Sequence, residues 1–253
     1  MVPTSIDVNA DAGESFGRWR LGDEAGLFAF VSSANIACGH HAGDPSTLRA
    51  AVRNARDAGV AVGAHPGYDD KAGFGRRALA MSISETVDAV VYQVGALAAI
   101  AESEDVRLRH VKPHGALMGA ICGDPELAVE VAAGLRNAGF ALPLMMAPTT
   151  ALTAVRTAGH PVIPENAVDL DFTDDGINVI EPRPMAKDPD RIAETAVTVA
   201  RGRAVTVSGR SIEMPVRSVC VHGDRPNAVP IAAAVNRALT AAGFAIRPAE
   251  PWV

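Results

Sequence analysis

Several polar side chains that could do acid, base or metal chemistry stand directly after short apolar runs of the sequence. In "NADAGE", Asn9 and Asp11 project from the same side of an extended chain, and Glu14 follows a glycine that lets the backbone turn. Two carboxylates at one strand end suit general acid and base catalysis, or a metal ligand beside a base. The competing interpretation is a helix cap and a solvated turn.

Four histidines occur in a similar context, after apolar runs: His41, His65, His114 and His222. A lone histidine of this kind is more often structural than functional. Four of them are harder to explain, because folding does not require imidazole at strand ends. Lys112 projects from the same strand face as His114, where it could neutralise developing negative charge or act as a base, and Asp224 follows His222 closely.

The stretch "ANIACGHHAGDP" places Cys38, His40, His41 and Asp44 within seven residues, which suggests a local metal site. Cys38 continues an apolar run and has no second cysteine nearby, so we expect it to be a buried small residue. Asp44 precedes Pro45 and is expected to cap the next helix. His41 is therefore the site residue of this stretch, with partners from other strands.

A loop with two guanidinium groups, "GFGRR", could clamp a carboxylate or phosphate through Arg76 and Arg77. A solvated arginine pair at a turn is the alternative. The sequence contains no GxxxxGK[ST] motif, so it carries no P-loop for ATP.

The elements that must position these residues alternate along the chain. Short apolar runs without strict alternation are typical of buried parallel strands. Three helices are predicted from an Asp-Pro start and a glycine exit: after Asp44, Asp124 and Asp188. Ser208-Gly209 indicates a β-hairpin inserted around residues 204–216, and we expect residues 1–253 to form a single domain.

The repeated strand and helix units leave a doubly wound sheet or a (β/α) barrel as the fold. Asp11, His41, His65, His114 and His222 all follow predicted strands. A barrel gathers such residues around one mouth, whereas an open sheet spreads its strand ends along a line. The sequence therefore predicts a barrel.

Composition excludes some classes of function. The chain has 253 residues, 48% of them hydrophobic and only 4% aromatic, so its core is built mainly from aliphatic residues. A net charge of -6 argues against nucleic-acid binding. Three scattered cysteines indicate a reducing compartment, and we expect neither a signal peptide nor a membrane span, hence a cytoplasmic protein.

Six ordered motifs resemble the LamB/YcsF family over nearly the whole chain: "NADAGE", "SANIACGHHAGDP", "GVAVGAHPGY", "GFGRR", "HVKPHGAL" and "VCVHGD". The resemblance implies a distorted seven-stranded (β/α) TIM-like barrel of the glycoside hydrolase and deacetylase type. It also implies the role of the A subunit of a 5-oxoprolinase, which acts with two partner subunits, B and C, in the ATP-dependent opening of 5-oxoproline to L-glutamate. The nucleotide site would then belong to a partner.

The resemblance also implies site residues. The family's polar positions are matched by Asp11, Glu14, His41, His65, Lys112, His114, His222 and Asp224. We expect Asp11, His41 and His65 to hold a divalent metal or order the attacking water, and Lys112 to stabilise the oxyanion. The remaining catalytic positions are Glu14, His114, His222 and Asp224, while Asn9, Arg76 and Arg77 are expected to bind substrate.

The chain departs from the family pattern at several positions. His40 stands where an aromatic residue is frequent, which implies stacking or packing, and Met118 replaces a tyrosine. Leu170, in "VDLDF", and Glu181 stand where arginines are expected, although Arg183 lies two residues beyond. Loss of guanidinium groups changes how an anionic substrate is held. A divergent member acting on another lactam or amide is therefore an alternative.

Two further functions remain open. The chain could be a stand-alone metal-dependent deacetylase or amidohydrolase acting on a lactam, an N-acyl compound or a carbohydrate. It could also be a binding protein that has kept the barrel without the reaction, although the full set of polar strand ends argues against this.

Overall fold

The computed structural model describes residues 4–181 and 183–253, and its centre is a ring of short parallel strands. Six of them pair in the order β3, β2, β1, β8, β5, β4, and β9 adds to the first residues of β1. Their neighbours are parallel throughout. The strands are β1 (Ser5–Ala12), β2 (Ser33–Ala37), β3 (Ala61–His65), β4 (Leu144–Met146), β5 (Val162–Ala167), β6 (Arg203–Val205), β7 (Ser211–Glu213), β8 (Ser218–Val221) and β9 (Ala245–Ile246).

The ring closes through Val111, which forms parallel bridges to Ala64 of β3 and to Leu144 of β4. This segment was expected to be a full strand, but it pairs at one residue because Pro113 lacks an N–H and the next helix begins shortly afterwards. With Val111, the ring has seven strand positions. The predicted distorted seven-stranded (β/α) barrel is confirmed.

Helices surround the ring and begin where the sequence signals indicated. Asp44 accepts hydrogen bonds from the N–H groups of Ser46 and Thr47, and Asp124 and Asp188 cap their helices in the same way. These three predicted starts are confirmed. The helices are α1 (Glu24–Phe28), α2 (Pro45–Asp57), α3 (Ile83–Glu102), α4 (Gly115–Gly123), α5 (Pro125–Asn137), α6 (Thr150–Thr157), α7 (Pro189–Ala200) and α8 (Ala228–Ala241).

Helix α3 is long and apolar enough, by length and composition alone, to cross a membrane, contrary to the expectation from sequence. In the structure it belongs to the barrel's outer layer, where Val90, Val94 and Leu97 are fully buried. Its buried Gln93 donates to the carbonyl of Gly67 and accepts from the N–H of the same residue. These contacts make α3 a packed barrel helix.

The interior of the barrel is polar. Asp7, Asn9 and Asp11 alternate along β1 with Ile6, Val8 and Ala10, and all six residues are buried. Asn9 and Asp11 contact Lys112, which lies on a non-neighbouring strand position, so this row faces the barrel axis. The apolar row faces the helices. Strands β6 and β7 form a separate two-stranded antiparallel sheet.

Candidate active site

The carboxyl ends of the strands bring most of the predicted site residues together. Asp11 lies near the end of β1, His65 ends β3, and His114 precedes the first residue of α4. His222 follows β8 directly. The barrel thus places residues that are far apart in sequence around a single mouth.

Four buried side chains form a compact group there, which we call the histidine cluster: Glu14, His41, His65 and His114. One ligand atom of each lies within 4.8 Å of those of the others. His41 Nε2 is 3.2 Å from Glu14 Oε1, and the rings of His41 and His114 stack with centroids 3.8 Å apart. Gly75, at φ +63°, permits this packing, because a Cβ there would lie 2.7 Å from the Cβ of His41.

Backbone carbonyls fix the tautomers of two cluster histidines. His65 Nδ1 is 2.6 Å from the carbonyl of Lys112, and His114 Nε2 is 2.7 Å from that of Phe74. Since a carbonyl only accepts, both nitrogens carry the hydrogen. In the neutral rings, His65 Nε2 and His114 Nδ1 are therefore lone pairs, and they face each other at 3.0 Å.

Two facing lone pairs need a proton or a cation between them. Burial, together with the charge of His65, holds the pKa of His114 well below its usual value, which disfavours the extra proton. His41 Nδ1 is also buried without a hydrogen-bond partner in the described part of the chain. Three imidazoles and a carboxylate, two of the rings oriented by backbone carbonyls, fit a divalent cation such as Zn²⁺.

Burial shifts the remaining cluster groups in the direction expected for uncharged side chains. Burial and then the charges of Asp11 and Asp224 raise the pKa of Glu14 well above its usual value. Burial, followed by the charges of His114 and His65, lowers the pKa of His41. The cluster therefore lacks positive charge of its own.

Lys112 lies beneath the cluster and is 5% exposed. Its Nζ is surrounded by Asn9 Oδ1 at 3.1 Å, Asp11 Oδ1 at 3.1 Å, Cys220 Sγ at 2.9 Å and Glu165 Oε1 at 3.4 Å. An ammonium has three N–H donors, so these acceptors use all of them. The structure leaves Lys112 no N–H for the oxyanion role expected from sequence, and its contacts are those of a residue that orients Asp11.

Asp11 is held from three sides. Besides Lys112, it accepts from Asn35 Nδ2 at 2.8 Å, and its Oδ2 lies 3.4 Å from His65 Nε2. Burial alone would raise the pKa of Asp11, but the charges of His65 and Lys112 hold it well below its usual value. The predicted metal ligand Asp11 is thus an ion-pair partner of Lys112 at the edge of the histidine cluster.

His222 forms a dyad with Asp169 on the pocket side of the mouth. Its Nδ1 is 2.9 Å from Asp169 Oδ1, and its backbone N–H donates to Oδ2 of the same carboxylate at 3.2 Å. Burial opposes protonation of His222, but Asp169 outweighs it and raises the pKa. This geometry directs Nε2 away from Asp169 and keeps a proton available on the ring.

A pocket of about 260 Å³ opens beside this dyad, lined by Arg76, Leu170, Ile180, Glu181, Pro184, His222, Asp224 and Arg225. Arg76 donates to Asp224 Oδ2 at 2.8 Å. Asp224 Oδ1 is buried and has no hydrogen-bond partner among residues 4–181 and 183–253. The pocket therefore contains one acceptor that its own walls do not satisfy.

The two departures from the family pattern line the same pocket. Leu170 is 7% exposed and forms an apolar wall. Glu181 pairs with Lys187 at 2.5 Å and with Arg225 at 3.0 Å, so its charge is compensated. Arg225 also donates to Asp169 at 3.1 Å. Each of the two pocket arginines, Arg76 and Arg225, thus has a carboxylate partner within the chain.

Other predicted residues lie outside the pocket. Arg77 pairs with Asp70 and is mostly exposed, while Asn9 lies deeper in the barrel, where it donates to Ser218 at 2.8 Å. His40 stacks on Tyr92 with centroids 5.6 Å apart, as expected. Cys38 is buried, which confirms the prediction for that residue.

Sequence reasoning missed three residues that shape the site. Asp169 and Arg225 flank recognised positions in "VDLDF" and "VHGDR", and Glu165 lies in the predicted strand "PVIPENA". Each is a buried charged residue. Because buried charges are rare unless paired, a carboxylate inside an apolar run was the available signal for Glu165.

Comparison with known proteins gives a consistent result. The LamB/YcsF family model matches residues 6–253. The chain is 44% identical over 247 residues to the 5-oxoprolinase A subunit of Chloroflexus aggregans, covering 96% of this chain and 98% of that protein. It is 45% identical over 246 residues to the protein of the same name from Mycolicibacterium paratuberculosis, covering 96% and 98%.

A solved structure supports the same assignment. The crystal structure of the lactam utilization protein from Thermus thermophilus is similar with a TM-score of 0.88 and 39% identity, covering 96% of this chain and 99% of that one. The fold, the motif order and these similarities agree. The chain belongs to the LamB/YcsF family.

Proposed function

We propose that this chain is the A subunit of an ATP-dependent 5-oxoprolinase, a hydrolase that opens the cyclic amide of 5-oxo-L-proline to give L-glutamate. Its relatives carry this name over almost their whole length. The observation that carries the proposal is the His222–Asp169 dyad, which faces a small pocket next to the histidine cluster. A proton donor on one side and a site for activating water on the other are what lactam hydrolysis requires.

The reaction adds water to the ring carbonyl and breaks the C–N bond, so the ring nitrogen needs a proton. His222 supplies it, since Asp169 raises its pKa and orients the ring. Asp169 is a positioning residue in this scheme, while Asp224 and Arg76 hold the substrate. Glu14 and His114, across the mouth, order the attacking water.

The histidine cluster holds a divalent cation in this proposal, with Glu14, His41, His65 and His114 as its ligands. Asp11, expected from sequence as a ligand, positions His65 instead. When bound, such an ion supplies Lewis-acid chemistry and favours ionisation of water. Lys112 acts through Asp11, whose orientation it fixes.

ATP enters through the complex. An unstrained five-membered amide is a poor electrophile, and phosphorylation of its oxygen creates a better one. Because the sequence has no P-loop, two further subunits, B and C, supply the nucleotide site and the phosphorylation step. We also propose that residues 1–253 form a single domain and that the protein is cytoplasmic.

A second function is favoured by the pocket wall. Arg76 and Arg225 are both paired with carboxylates of the chain, and Leu170 takes the place of an expected arginine. A substrate carboxylate would have to compete for these guanidinium groups. The second candidate is therefore a stand-alone metal-dependent amidohydrolase or deacetylase that acts on an uncharged lactam, an N-acyl compound or a carbohydrate.

The decisive experiment is reconstitution of the chain with its partner subunits, followed by measurement of glutamate released from 5-oxo-L-proline with and without ATP. The proposal expects release that needs ATP and all of the subunits. Hydrolysis of an amide by this chain alone without ATP would favour the second function. No release from the complete complex would refute the first.

A further inference from the structure

We propose that Asp224 is the acceptor for the N–H of the substrate ring, so that the pocket selects cyclic amides with a free N–H over lactones and N-alkylated lactams. The inference rests on the proposed function, because it assigns a substrate group to the same pocket. It adds a specificity-determining residue and a definite substrate class.

The geometry of Asp224 carries the argument. Its side chain is 8% exposed, and Oδ2 accepts from Arg76 at 2.8 Å. Oδ1 is fully buried at the pocket wall, and the described residues provide no donor for it. A buried acceptor without a donor is costly, so the pocket is built for a ligand that brings one.

The surroundings narrow the kind of donor. A carboxylate only accepts hydrogen bonds, and a carbonyl or ring oxygen facing Oδ1 would be repelled. An ammonium group would meet Arg76, Arg225 and His222, which all line the same pocket and bear or favour positive charge. A neutral N–H satisfies Oδ1 without that repulsion. In a lactam it is adjacent to the carbonyl that reacts.

The position of Asp224 agrees with the direction of the reaction. It lies two residues from His222 in one loop, and both side chains line the pocket. An N–H held by Oδ1 places the ring nitrogen beside the group that must protonate it when the C–N bond breaks. Asp224 thus orients the leaving nitrogen and His222 supplies its proton.

The variant Asp224→Asn tests this assignment with little change in shape. Arg76 donates to this side chain, so the amide oxygen of the variant turns toward Arg76 and its NH₂ faces the pocket. The acceptor becomes a donor. Binding of 2-pyrrolidinone, N-methyl-2-pyrrolidinone and γ-butyrolactone to the full chain is measured by NMR titration.

The wild-type chain should bind 2-pyrrolidinone about 10- to 100-fold more tightly than either ring without an N–H, since a hydrogen bond to a charged group is involved. In Asp224→Asn this preference should vanish or reverse, with binding of the lactone retained. The matched control Asp171→Asn, an exposed carboxylate outside the pocket lining, should keep the wild-type order.

Equal binding of the three rings by the wild-type chain, no binding of 2-pyrrolidinone, or equal weakening of all three in Asp224→Asn would overturn the inference. These probes lack the carboxylate of 5-oxoproline and require neither ATP nor partners. If the reconstituted complex releases no glutamate while the N–H preference persists, the 5-oxoprolinase assignment fails and the role of Asp224 stands.

Discussion

Replacement of Lys112 by methionine should destabilise the barrel strongly at neutral pH, because the ammonium is the cation shared by two buried carboxylates. Its Nζ lies 3.1 Å from Asp11 and 3.4 Å from Glu165. With an effective dielectric constant of about 20, each contact is worth about 5 kcal/mol before desolvation is subtracted. Removal of one partner from such a buried group costs about 3–5 kcal/mol.

The effect should depend on pH in a definite direction. Asp11 and Glu165 compensate burial of Lys112 and raise its pKa well above the usual value, so the lysine's contribution is complete at any pH below its unfolded value. In Lys112→Met the two carboxylates lose their cation and can become neutral by taking up protons. The difference from wild type should therefore be largest near pH 7.5 and smaller near pH 4.5.

Urea unfolding, followed by far-UV circular dichroism at both pH values, measures this difference. Lys71→Met is the matched control, because Lys71 is exposed on the loop after β3. The double variant Asp11→Asn/Lys112→Met should recover about 0.5–3 kcal/mol of the loss by removing one uncompensated carboxylate. A Lys112→Met protein within about 1 kcal/mol of wild type at pH 7.5 would refute the shared-cation role, since a broken buried pair costs more.

Three further predictions concern the cluster, the dyad and an acid-sensitive surface contact. His114→Ala should weaken binding of Zn²⁺ to the full chain at least about 10-fold in calorimetry, as expected for loss of a ligand, whereas His160→Ala, away from the mouth, should not. Asp169→Asn should lower the pKa of His222 and move the alkaline limb of the pH–activity profile to lower pH; an unmoved limb would exclude His222 as the titrating acid. Hydrogen bonds from Arg53 and Arg49 lower the pKa of Glu104 to about 2, so its stabilising effect is present above the usual value of 4.5 and is lost as pH falls toward 2. Glu104→Gln should accordingly lower the melting temperature at pH 6 and differ little from wild type near pH 2.

The barrel could be predicted from sequence because its signals are local. Each Asp-Pro start supplies a cap whose partners lie two or three residues away, as Asp44 shows with Ser46 and Thr47. The apolar runs of the parallel strands are equally local. The single failure among the barrel strands, the segment at Val111, reflects Pro113, whose effect on pairing depends on the neighbouring strands.

The candidate site could be predicted only in part. Its residue types were visible at strand ends, but their partners come from opposite sides of the barrel. The role of Lys112 changes once Glu165 and Cys220 are seen to surround it, and neither contact has a sequence signal of its own. The tautomers of His65 and His114 depend on backbone carbonyls, which every residue has.

The polar interior also bears on why the chain keeps such a costly arrangement. Replacement of a buried ion pair by apolar residues is often neutral or stabilising, so Lys112 with Asp11 and Glu165 is poorly explained as a source of stability. These residues instead fix Asp11, and Asp11 lies 3.4 Å from the bare nitrogen of His65. Loss of the lysine should therefore disturb the cluster as well as the fold. If Zn²⁺ binding by Lys112→Met were unchanged under conditions where the variant is folded, the interior network would have no part in positioning the histidine cluster.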